Sequence, residues 1–245
     1  MTATLGRRVT AEATGTALLV AIVVGSGIFA ERLTTDVAMQ LLANSTATAG
    51  GLAALILAFG SVSGAHFNPV VSLADRAFGG LTTRELVAYV PAQVAGACVG
   101  AIVANLMFDL DPVNLSTHER AASGLWTGEV VATFGLVIVI LGVVRSGRSS
   151  TAPFAVAGYI AAAYWFTSST SFANPAVTIG RTLSDTFAGI EPASVPAFIV
   201  AQLVGGTGAV LLARYLFPDL PALDLIVPHD HADVARTTEA LHARP

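Results

Sequence analysis

The chain has 245 residues, 54% of them hydrophobic and only 11% charged, with a formal net charge of −4. So apolar a composition excludes an ordinary soluble domain and describes a polytopic membrane protein. No basic patch suggests nucleic acid, and the single cysteine, Cys98, excludes an internal disulfide.

Six apolar stretches read as candidate spans, over 9–29, 43–61, 85–108, 125–144, 152–166 and 193–217. Arg7 and Arg8 before the first give it the look of a signal peptide, but the same stretch recurs later, so it is a span. It carries Glu12-Ala-Thr-Gly-Thr, echoed in the fourth span by Glu129-Val-Val-Ala-Thr. After the second span, Asn68-Pro69-Val70 opens a short apolar segment, 69–78. Asn is a preferred N-cap and Pro suits the first helical position, so this is a helix start. The segment is too short to cross a bilayer, which takes about 20 residues. The third span carries Ala92-Gln93-Val94-Ala95-Gly96. After the fifth, Asn174-Pro175-Ala176 repeats the signal 106 residues on and opens a second short segment, 175–187. The sixth carries Ala201-Gln202-Leu203-Val204-Gly205, the echo of the Gln93 stretch.

Each half therefore holds three spans and one half-helix. An odd number of spans turns the second half upside down relative to the first, with the shared site near the midplane. The expected fold is an all-α membrane protein, with six transmembrane helices and two re-entrant half-helices in an inverted 3+3 repeat. One channel domain would cover 1–218, with repeats at about 9–108 and 125–217. A cytoplasmic tail would occupy 219–245. With both termini inside, the inner segments carry nine arginines and the outer loops only Arg32, Arg120 and Arg181.

Glu12 and Glu129 lie well inside the spans, where a carboxylate is costly and usually has a role. They could couple proton flow in a transporter, or brace the re-entrant loops by accepting backbone N–H bonds. Symmetric placement in both halves favours the brace.

His66-Phe67-Asn68-Pro69-Val70 and Phe172-Ala173-Asn174-Pro175-Ala176, with Glu12, Glu129, Gln93 and Gln202, resemble the major intrinsic protein family of aquaporins and aquaglyceroporins. The resemblance covers about 9–218. It implies a tetramer with one pore per subunit, no cofactor and no enzyme activity. Asn68 and Asn174 would donate to solute at the pore centre, and His66 would line the inner half. Counting without gaps from the asparagines puts Thr48, Ala162, Ser171 and Val177 at the family's filter. Most members have Arg where Val177 stands. A wide, neutral, hydroxyl-bearing ring is then expected, suited to uncharged polyhydroxy solutes larger than water, with weaker exclusion of protons. Arg181, four residues on, is read as an i,i+4 partner of Asp185 or a snorkelling side chain rather than a vestibule charge.

Val177 and the stretch from Ala163 to Phe172 look like a bacterial aquaglyceroporin branch associated with arsenic-resistance gene clusters. That resemblance implies passage of glycerol-like polyols, arsenous acid and some water through the cytoplasmic membrane, driven by the solute gradient. The alternatives are a water channel or general glycerol facilitator without a metalloid role, a secondary transporter built on inverted repeats, or a junction protein with a plugged pore. His229, Asp230, His231 and Asp233 in the tail are read as a solvated run, not a metal site.

Overall fold

A computed structural model of the chain describes residues 3–217, so the tail with His229, Asp230, His231 and Asp233 lies outside the described residues. Within them the chain forms α1 (Leu5–Leu33), α2 (Val37–Ser63), α3 (Pro69–Ala77), α4 (Thr83–Met107), α5 (Ser123–Arg145), α6 (Ala152–Phe166), α7 (Pro175–Gly180) and α8 (Val195–Leu216), with no strand. A 3-10 turn, Arg181–Leu183, tightens the end of α7, so the second half-helix is shorter than its apolar stretch suggested. Four of the helices (α1, α2, α4 and α5), and α8 with the turn before it, are long and apolar enough to cross a membrane. The 15-residue α6 spans about 22 Å and packs against both α2 and α5.

The two halves pack alike. In the first, α1 lies against α2 and α4; in the second, α5 lies against α6 and α8. The half-helices then cross over, α3 packing on α8 and α7 on α4, and they touch each other. Missing side chains make these approaches possible. A Cβ on Gly96 would lie 2.2 Å from the Ala13 carbonyl oxygen, and one on Gly100 2.1 Å from that of Ala17. The equivalent seam of the second half has Gly205 at 2.4 Å from the Val130 oxygen. Gly206 makes room for Val70, and Gly180 for the backbone of Ala97, so each half-helix seats against a span of the other repeat.

The outside of the bundle is apolar. Phe154, Trp165, Val200 and Leu211 are all at least half exposed there, a belt that suits lipid and not water. The polar side chains are inside: Glu12, Gln93, Glu129 and Gln202 are fully buried.

Candidate functional site

The two half-helices meet by their N-terminal ends. Asn68 caps α3, its Oδ1 accepting from Val70 N at 2.9 Å, with Pro69 in the first turn. Asn174 caps α7 in the same way, accepting from Ala176 N and Val177 N at 3.0 and 3.2 Å, with Pro175 in the first turn. Their amide nitrogens reach across. Asn68 Nδ2 donates to the Ala173 carbonyl at 2.7 Å, and Asn174 Nδ2 donates to the Phe67 carbonyl at 2.8 Å. Each residue immediately before an asparagine therefore holds the asparagine of the other repeat.

That exchange needs strained backbone. Phe67 and Ala173 have φ of 49° and 48°, a left-handed conformation that costs a non-glycine residue about 1–2 kcal/mol. Two carboxylates hold it in place. Glu12 accepts from His66 N, Phe67 N, Ser63 Oγ and Gln93 Nε2 at 2.6–3.0 Å. Glu129 accepts from Phe172 N, Ala173 N and Gln202 Nε2 at 2.6–2.9 Å. Each glutamine also donates onward into a half-helix, Gln93 to Ser72 Oγ at 3.0 Å and Gln202 to Thr178 Oγ1 at 2.9 Å. The echoed Gln stretches were visible in the sequence; that they tie each carboxylate to the half-helix of its own repeat was not.

A cavity runs past both asparagines. Leu52, Ile56, Leu136, Ile140 and Ile160 give it an apolar wall, and His66, Asn68, Asn174 and Ser171 supply polar groups. At one end His66 lines it, with Nδ1 3.1 Å from Ser72 Oγ and its ring edge-on to Tyr89. Its Nε2 lies 3.9 Å from Asp75 Oδ2.

The other end differs from the gap-free count. Thr48, Ser171 and Val177 line the cavity, but Ala162 does not: it is exposed on the outside of α6. Tyr164, two residues on, takes the inward position and sets its hydroxyl 3.1 Å from Thr48 Oγ1. Arg181 lines the cavity as well and is only 2% exposed. It makes no pair with Asp185, which instead accepts from Thr117 N and Oγ1. Its Nε donates to the Ala188 carbonyl, and its guanidinium stacks 3.4 Å from the Phe172 ring centroid. Arg120 covers the same ring from 4.9 Å, and burial pushes its guanidinium below the ordinary range. A tyrosine and an arginine thus stand where small, neutral groups were expected.

A doubled Asn-Pro cap, cross-braced by two buried carboxylates around one cavity, matches a known architecture. The family model described as major intrinsic protein matches residues 1–171 of this chain. The chain belongs to the major intrinsic protein family. Aquaglyceroporin AqpS of Rhizobium meliloti (strain 1021) is 52% identical over 212 residues, 86% of this chain and 91% of its own length. Probable aquaporin AqpM of Archaeoglobus fulgidus is 29% identical over 247 residues, 88% of this chain and 99% of its own length. Among solved structures, the aquaglyceroporin from Plasmodium falciparum shares the fold, with a TM-score of 0.69 over 89% of this chain and 99% of that one at 20% identity.

Proposed function

We propose that the cavity conducts glycerol-like polyols and arsenous acid, with Asn68 and Asn174 at its centre and Thr48, Tyr164, Ser171 and Val177 at its outer constriction. The chain is a multi-pass membrane channel for small neutral solutes such as glycerol, a passive conduit rather than an enzyme. One observation carries the choice of solute: the wall combines aliphatic side chains with amides and hydroxyls. A polyol presents carbon to one and oxygen to the other. Each asparagine amide has two N–H groups, and one is spent on the facing carbonyl. The second is free to turn to solute. Ser171 Oγ is buried without a hydrogen-bond partner among the described residues, and its hydroxyl is available to a passing oxygen.

In this reading His66 lines the inner half, while Glu12 and Glu129 serve as braces. Both termini lie on the cytoplasmic side of the bacterial cytoplasmic membrane in this reading, as the bias of arginines toward the inner segments supports. The exposed apolar helices would face lipid and the neighbours of a homotetramer, with one pore in each subunit.

Stopped-flow light scattering on proteoliposomes, comparing water, glycerol and arsenite, tests this. Glycerol and arsenous acid are expected to enter well above the rate of empty liposomes. Arsenous acid at the empty-liposome rate, beside rapid glycerol entry, would remove the metalloid part of the proposal.

A further inference from the structure

The geometry points to Arg181 as the fixed positive charge and donor cluster of the outer constriction, excluding cations and orienting neutral hydroxylic solutes from one helical turn beyond Val177. This deepens the channel reading and rests on it. Four observations place the residue in that role. Val177 and Arg181 both line the cavity, as an i,i+4 pair carried by α7 and the 3-10 turn that follows it. The Arg181 side chain is buried in the path and not spread on the protein surface. It is also held rigidly, its Nε donating to the Ala188 carbonyl and its flat face on Phe172.

The fourth observation is what remains unspent. Among the described residues no carboxylate pairs with Arg181, and Nη1 and Nη2 donate to no protein acceptor. A guanidinium has five N–H donors, so four remain for solute and water. A fixed, unneutralised charge in a narrow low-dielectric passage repels cations strongly. The hydroxyls of Thr48 and Tyr164, hydrogen-bonded to each other, line the same passage. A triol or a trihydroxy metalloid can accept from the guanidinium while donating to those oxygens. A hydrated cation gains nothing there and meets the charge.

Purified Arg181→Gln and Arg181→Lys channels, reconstituted into proteoliposomes, test the assignment through proton leak and glycerol entry measured on the same vesicles. Arg181→Gln removes the charge but keeps a donor for Ala188. Its proton leak should rise at least about tenfold over wild type, with glycerol entry still measurable as proof of insertion. Arg181→Lys keeps the charge and loses the planar fork. It should remain tight to protons while its glycerol-to-urea ratio shifts severalfold. A leak from the Gln variant equal to wild type overturns the proposal, as does a Lys variant with an unchanged glycerol-to-urea ratio. If the Gln variant does not insert, the Lys ratio alone still decides. A wild type that passes no glycerol would instead overturn the channel reading beneath it.

Discussion

Thr48 Oγ1 and Tyr164 Oη stand 3.1 Å apart inside the cavity, a hydrogen bond between α2 and α6, the equivalent helices of the two repeats. Tyr164 takes the place in the cavity wall that gap-free counting gives to an alanine. Replacing Tyr164 by Ala should widen the passage enough to raise entry of a four-carbon polyol severalfold relative to glycerol. Tyr164→Phe keeps the ring and removes one hydrogen bond worth about 1 kcal/mol, so its size selectivity should stay near wild type. Equal four-carbon rates for Tyr164→Ala and wild type would show that the tyrosine does not set the width.

The same end of the pore yields a second prediction. Val177→Arg would place a second guanidinium one turn from Arg181, in a cavity that Tyr164 also lines. Crowding and like charge should cut glycerol entry by about tenfold. Stopped-flow traces at matched protein density check this, and an unchanged rate would mean that Val177 lies outside the narrow section.

Glu12 and Glu129 are predicted to be structural. Every oxygen of the two carboxylates already accepts at least one hydrogen bond, and their acceptor sets hold the loops before Asn68 and Asn174. Glu12→Gln or Glu129→Gln exchanges one acceptor oxygen for a donor that faces another donor. The expected cost is about 1–3 kcal/mol each, read as a lower melting temperature of the detergent-purified protein. An unaltered melting temperature with a changed response of flux to pH would instead favour a coupling site.

The close seams give a fourth. Gly96→Ala and Gly100→Ala push a methyl group against the Ala13 and Ala17 carbonyls of α1, and Gly205→Ala does so against Val130 of α5. Overpacking of this kind costs about 1–3 kcal/mol, and backbone atoms cannot rotate away. Gly50→Ala, where nothing lies within 4 Å, is the control that should leave stability unchanged. Equal melting temperatures for all four would remove close packing as the reason for these glycines.

Much of this was legible in the chain because it is written twice. Asn-Pro marks a helix start by local chemistry alone, and finding it twice at matching places exposed the repeat. Glu12 with Gln93, and Glu129 with Gln202, were visible as paired echoes for the same reason. The places of Tyr164 and Arg181 in the cavity were not, because they break the repeat. Tyr164, the α6 residue that lines the cavity there, stands ten positions before Asn174 and not twelve, so the gap-free count misses it by two residues. Ala161, Ala162 and Ala163 carry no periodic signal to correct it, and Tyr164 at the next position stands in the stretch from Ala163 to Phe172 that carries only a resemblance. For Arg181 the sequence offers Asp185 at i+4 as a simple surface partner, and the structure does not use it. The 3-10 turn over Arg181–Leu183 and the extended Ser184 break the helix between them, and Asp185 turns to Thr117 instead.

The central claim is that two facing half-helices leave an open, uncoupled path for small neutral solutes. Glycerol entry into proteoliposomes, measured against the size of the gradient with and without an imposed proton gradient, tests it most directly. The account predicts a rate that rises linearly with the glycerol gradient and ignores the proton gradient. Saturating entry, or accumulation of glycerol driven by protons, would contradict it.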